Sequence, residues 1–174
     1  MENKTKLERF EETVLPHLDA AYNLARWLTR NEHDADDVVQ EAYLRALRFF
    51  DGFRGGDGRA WLLAIVRNAS YTWSEQSRAR PQVEFNEEIS CAGGDASDPE
   101  TLLVQNLNAA SVSACIEALP VEFREVVILR ELEELSYKEI AAAAGLPIGT
   151  VMSRLARARK RLEDCLTARL KGGR

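Results

Sequence analysis

The residues most capable of chemistry fall into three groups. Asp34, Asp37 and Glu41 in DADDVVQEAYLRAL stand at i, i+3 and i+7, so on a helix they form one acidic ridge opposite an apolar stripe of Val38, Ala42 and Tyr43. Clustered carboxylates can hold a metal or work as an acid and base pair, but no His, Cys or polar nucleophile accompanies these at a useful spacing. No catalytic residue, metal ligand or cofactor is therefore assigned. The remaining uses of the ridge are solvation and docking on a cationic protein surface, which would relieve the mutual repulsion of the acids.

A second group, Arg67, Tyr71, Ser74 and Arg78, recurs at steps of four, three and four residues, with Asn68, Trp73 and Arg80 beside it. An aromatic ring between cations suits unstacked bases: the ring offers a stacking platform of about 1–3 kcal/mol per base while guanidinium groups hold phosphates. The competing reading makes Trp61 and Trp73 core and Tyr71 their cover. The tryptophans fit the core; Arg67, Asn68, Tyr71 and Arg78 fit nucleic acid.

The third group lies in SYKEIAAAAGLPIGTVMSRLARARKRL. Ser136, with Glu139 three residues on, has the spacing of a capping box and predicts a helix start. Gly145 suits a tight left-handed turn, Ala141 a close helix crossing, and Ile140, Leu146, Val151 and Leu155 a shared core: the grammar of a helix-turn-helix. In the second helix Val151, Leu155, Ala158 and Leu162 share one side, while Thr150, Ser153, Arg154, Arg157 and Arg161 share the other. Ser153 and Arg157 are placed for base edges in a major groove, with the surrounding cations at phosphates. A solvated cationic helix is the alternative, but Arg154, Arg157, Arg159, Lys160 and Arg161 follow directly on the turn and favour DNA. Arg154 is the irregular position, standing where many such motifs carry an apolar residue, so that Leu155 must fill in.

Helices must position all three groups. Three- and four-residue apolar steps dominate, period-2 alternation is absent, and the expected fold class is all-α. The steps run from Leu7 to Leu28, with Pro16 a break or first-turn residue, then from Val38 to Leu47, then from Trp61 to Trp73 after the turn FRGGDG. These make one helical unit over 1–80. Residues 81–110 are acidic, with glycine, serine and proline and no apolar stripe before Leu102, and read as a linker that would reach about 30 Å as a coil. A second unit covers 111–174, with a helix stop at Pro120.

The 174 residues carry 23 Lys and Arg against 28 Asp and Glu. A net charge of −5 argues against a protein that coats nucleic acid indiscriminately. The distribution is uneven: 54–80 is net +3 and 150–174 net +6, whereas 81–149 is net −10. Two basic stretches imply two contacts with an anionic partner. The acidic stretch is also a candidate cover for the chain's own cations, folding over the cationic helix or the Arg67 stripe before DNA arrives. Cys91, Cys115 and Cys165 show no CxxC pair, so neither a disulfide framework nor a zinc site is readable. The charged amino terminus and the lack of a long apolar run predict a cytoplasmic chain with no membrane span.

DADDVVQEAYLRAL, FRGGDGRAWLLAIVRN, DPETLL and ALPVEFREVVILRELEELSYKEIAAAAGLPIGTVMSRLARARKRL, in that order, closely resemble the extracytoplasmic-function (ECF) sigma factors of bacteria. The resemblance covers most of the chain apart from the first dozen residues and much of the linker. It implies a region 2 unit and a region 4 unit of helical bundles, and a promoter-specificity subunit of RNA polymerase. Asp34, Asp37, Gln40 and Glu41 would dock on the clamp of core RNA polymerase, and Arg67–Arg80 would recognise and open the minus-10 element. Met152, Ser153, Ala156 and Arg157 match the positions that read the minus-35 element, with Arg130, Tyr137, Lys138, Arg154 and Arg159 at its phosphates. The partners implied are core polymerase, promoter DNA and, as is usual for the family, an anti-sigma factor wedged between the units. Two rival classes remain: a polymerase-independent helix-turn-helix regulator and a metal enzyme built on the acidic ridge.

Overall fold

A computed structural model describes residues 4–80 and 99–172, with side chains from 4–80 and 107–172. Among the described residues every regular element is helical: α1 (Lys6–Val14), α2 (Leu18–Thr29), α3 (Glu32–Phe49), α4 (Gly58–Arg78), α5 (Pro99–Glu117), α6 (Val121–Val127), α7 (Tyr137–Ala144) and α8 (Ile148–Gly172).

Local signals set the boundaries of the first four. Thr5 Oγ1 accepts from the Glu8 amide at 3.2 Å while the Thr5 amide donates to the Glu8 carboxylate at 2.7 Å, closing a capping box on α1. Pro16, which has no amide proton to donate, sits in a short 3₁₀ turn, Leu15–His17, between α1 and α2. Arg30 ends α2 in the left-handed region at φ 60°, and Asn31 caps α3 by accepting from the Asp34 amide at 3.0 Å. Asp57 caps α4, accepting from the amides of Arg59 at 2.9 Å and Ala60 at 3.3 Å. Its carboxyl lies below the usual carboxylate range: partial burial pushes it up, but the two amides, the Glu139 side chain and the Arg59 charge outweigh that.

In this first unit α2, α3 and α4 pack on one another around Leu24, Val38, Leu62 and Val66, all fully buried. Phe10 of α1 closes one end, edge-on to Phe50 with ring centres 5.4 Å apart. Gly58 permits the approach of α1: a Cβ there would lie 2.6 Å from Thr13 Cγ2 and 2.9 Å from the Thr13 carbonyl oxygen.

In the second unit Pro120 precedes α6, which runs into a π-helical turn, Ile128–Leu132. Ser136 and Glu139 form the expected capping box at 3.1 and 2.7 Å. Gly145 leaves α7 at φ 66°, and the Leu146 amide returns to the Ala141 carbonyl at 2.9 Å. Ile140, Val151 and Leu155 form the shared core of α7 and α8.

Two expectations are corrected. Residues 99–110, read as linker, are helical within α5, because Pro99 suits a first helical turn and good helix formers follow it; residues 81–98 lie outside the described residues. Cys115 of α5 and Cys165 of α8 are joined by a disulfide, with Cα atoms 5.9 Å apart. A separation of 50 residues hides that pairing from a search for local cysteine spacings. The two units also pack together, α7 on α4 and α6 on α2, so that most of their buried apolar residues form one cluster, with Leu119, Val127 and Ala158 in a second, smaller one.

Candidate nucleic-acid interface

Helix α8 sorts as its periodicity predicts. Val151, Leu155 and Ala158 are buried, while Met152, Ser153, Ala156, Arg157, Lys160 and Arg161 are exposed. Thr150 is half-buried at the start of this face, and the Ser153 hydroxyl donates to its carbonyl at 3.0 Å. Arg161 lies over the Phe123 ring at 4.9 Å, which limits the directions its guanidinium can take. Arg159 donates to Glu131 at 2.6 Å, and Arg130 lies over Tyr137 at 5.0 Å while donating to the Leu135 carbonyl at 2.8 Å. Lys138 is exposed near the start of α7. Arg157, Arg159, Lys160 and Arg161 make the exposed side of α8 cationic.

The stripe on α4 is not an open surface. Asn68, Arg78 and Arg80 are exposed, but Arg67 and Tyr71 are half-buried against the second unit. Arg67 donates to Glu125 of α6 through Nε at 2.7 Å and Nη2 at 3.3 Å, and its guanidinium carbon lies 4.1 Å from the centre of the Tyr71 ring. Burial pushes the Tyr71 phenol up, and the Glu125 charge adds to the push. Burial lowers the Arg67 pKa, but the Glu125 hydrogen bonds and charge more than reverse that. The sequence offers Tyr71 as a stacking platform; here it is half-buried, with the Arg67 guanidinium over its ring and the Glu125 carboxylate of the second unit beside it.

Arg154 reaches the same carboxylate, donating to Glu125 at 3.4 Å. That contact accounts for a cation at an apolar register of α8. Leu155, 1% exposed, fills the core as expected, and Arg154 turns toward the interface instead. Glu125 itself is 0% exposed. Sequence reading missed it, along with Glu133, which receives Arg59 at 2.7 Å and Asn23 at 2.9 Å. Arg124 was missed as well; it donates to the Trp27 carbonyl at 2.9 Å. The available signal for Glu125 was an acid inside the apolar run Phe123–Leu129, a position that demands a charged partner.

The acidic ridge lies on α3, which packs on α2 and α4. Asp37, Gln40 and Glu41 are exposed and Asp34 half-buried, and Glu41 accepts from Arg45 at 2.7 Å. A groove beside it is lined by Asp37, Gln40, Glu41, Trp73 and Gln76, and the Trp73 indole nitrogen is buried there with no hydrogen-bond partner among the described residues.

Residues 13–80 match the family described as Sigma-70 region 2, and residues 109–162 match Sigma-70, region 4. The chain is 33% identical over 165 residues to the ECF RNA polymerase sigma factor SigE of Mycolicibacterium smegmatis, covering 94% of this chain but only 64% of that protein. It is 37% identical over 139 residues to the ECF RNA polymerase sigma-E factor of Escherichia coli K12, covering 75% of this chain and 73% of that one. Among solved structures it is similar to the sigma factor RpoE of Bartonella quintana, co-crystallised with the anti-sigma factor NepR. That likeness has a TM-score of 0.72 at 28% identity and covers 91% of this chain and 97% of that chain. A second likeness is to CnrH in complex with the cytosolic domain of CnrY, with a TM-score of 0.63 at 28% identity over 91% of this chain and 88% of that one.

Proposed function

The chain belongs to the ECF group of the sigma-70 family, and from that premise we propose that it is a promoter-specificity subunit of bacterial RNA polymerase. The observation that carries the reading is the presence, in one chain, of a capped helix-turn-helix with a cationic outer face on α8 and a second cationic and aromatic stripe on α4. A polymerase-independent regulator would need only the first of these.

The acidic ridge of α3, Asp34, Asp37, Gln40 and Glu41, docks on the core enzyme. Exposure of three of its four residues supports this. Ser153 and Arg157 read base edges of the minus-35 element, Met152 and Ala156 give apolar contacts, and Arg130, Tyr137, Lys138 and the cations of α8 hold phosphates. Arg67, Asn68, Tyr71, Arg78 and Arg80 take the minus-10 element as it opens. Opening costs a few kcal/mol for each unstacked step, which base capture and phosphate neutralisation offset. Once one unit is seated, the other meets its element at high effective concentration, so each can be small.

The chain performs no covalent step; the polymerase makes the RNA. It works in the cytoplasm, and no described helix is long and apolar enough to cross a membrane. An anti-sigma factor is its natural inhibitor, a reading supported by the partners of the two similar solved sigma factors.

The test adds the chain to sigma-free core polymerase on host genomic DNA and maps the 5′ ends of the RNA. Discrete start sites sharing two spaced elements are expected; absence of chain-dependent starts overturns the proposal. On such a promoter Arg157→Ala lowers initiation about tenfold, about 1.4 kcal/mol, within the span for one bidentate base contact. A variant with full activity and unchanged minus-35 preference would remove Arg157 from the reading strip.

A further inference from the structure

Both cationic helices are held by one side chain. Glu125 has no solvent exposure, and one of its oxygens takes Arg67 Nε at 2.7 Å while the other takes Arg67 Nη2 at 3.3 Å and Arg154 Nη1 at 3.4 Å. An arginine fork closed on two oxygens is also how arginine holds a phosphate. Arg67 belongs to the stripe assigned to the minus-10 element and Arg154 to the helix assigned to the minus-35 element. A single carboxylate therefore occupies a cation of each, and Tyr71 beside it is half-buried.

Beside the apolar packing of α7 on α4 and α6 on α2, further polar ties cross the same boundary from the second unit to the first. Glu133, 4% exposed, accepts from Arg59 and Asn23, and Arg124 donates to a backbone carbonyl of α2. A contact made of charge pairs can be exchanged for pairs with another anion, whereas a purely apolar contact cannot. DNA can take Arg67 in full only after the units part, because the Nε and Nη2 that would grip a phosphate are turned inward onto the buried Glu125.

We propose that Glu125 is a built-in stand-in for DNA phosphate that latches the two reading helices together and keeps the free chain from binding DNA until its units separate. The proposal rests on the assignment of α4 and α8 to promoter DNA. In the closed form the apparent DNA affinity is reduced by the fraction of molecules that are open. Docking of the first unit on the polymerase, with the second unit drawn toward its own element, releases the latch.

The test uses the full chain and Glu125→Gln, which keeps the shape of the side chain and removes its charge. Free chain is titrated with a short non-promoter duplex, and its radius of gyration is measured by small-angle scattering. Glu125→Gln is expected to bind about tenfold more tightly, as expected when the open fraction rises tenfold, and to expand. Glu122→Gln, an exposed acid of the same helix, serves as the control for loss of one negative charge and is expected to change neither reading by more than a small factor. If Glu125→Gln does not fold, Glu133→Gln, which loosens Arg59 and Asn23, is expected to act in the same direction. Wild-type chain that drives promoter-dependent RNA synthesis, while the folded Glu125→Gln chain matches it in compactness and DNA affinity, overturns the latch alone. Wild-type chain that starts no RNA overturns the functional reading on which the latch depends.

Discussion

Reducing the Cys115–Cys165 bond is expected to lower the free energy of unfolding by about 4 kcal/mol, the loop-entropy figure for closure of 50 residues. The bond ties α5 to α8 beyond the cationic face, so the oxidised chain unfolds with that loop already closed. Cys165→Ser is the better variant because Cys165 is half-buried and a hydroxyl there can reach water. Cys115 is 1% exposed, and a serine in its place would add the cost of a buried hydroxyl. With a urea slope of about 2 kcal/mol per molar, the unfolding midpoint falls by roughly 2 M on reduction. The oxidised Cys165→Ser chain should unfold with the reduced wild type. Coincident midpoints for oxidised and reduced wild type would show that the cross-link does not constrain this chain. In the cytoplasmic setting proposed above thiols are kept reduced, and there the fold of α5 to α8 would stand on its packed core alone.

What the sequence made legible was local. Ser136 with Glu139, Gly145, and the Val151, Leu155 and Ala158 side of α8 each follow from contacts within a few residues, and each holds in the structure. The acidic ridge of α3 was legible for the same reason: helix geometry alone places Asp37 and Glu41 on one exposed face. The Arg67 stripe was read as a stripe, with residues 81–149 as a candidate cover but no covering residue named. Its cover comes from Glu125, 58 residues away, and periodicity carries no information about which distant acid meets which cation. Even so, the net −10 of residues 81–149 pointed to a cover of the right sign. Arg154 left a local clue, a cation in an apolar register, whose explanation is the same long-range pair. The disulfide and the early start of α5 escaped for related reasons. One is a 50-residue pairing, and the other is a helix whose sequence lacks an amphipathic stripe because composition, rather than patterning, favours it.

Replacing Asp34, Asp37 and Glu41 together by alanine is expected to weaken binding to core polymerase about 100-fold while leaving the helix intact. Alanine is the best helix former, and the Asn31 cap accepts from the backbone amide of residue 34, which the substitution keeps. The loss of first-turn charge at Asp34 costs only about 0.3–1 kcal/mol of helix stability. The binding loss is larger because three charges leave one docking edge, at about 1 kcal/mol each, and about 1.4 kcal/mol corresponds to tenfold. Glu41 matters twice: it accepts from Arg45 at 2.7 Å, so its removal also frees a cation facing a cationic partner. Rim charges act chiefly on encounter, so association slows more than dissociation quickens, and the difference from wild type shrinks as salt rises. The measurement is association and dissociation of labelled chain on core polymerase at low and high salt, alongside DNA binding by the same variant. The ridge lies on α3, away from α8, so DNA binding in the absence of polymerase should not fall. Unchanged association at low salt would take the docking role from this edge and leave the Trp73 groove beside it as the surface to be tested next.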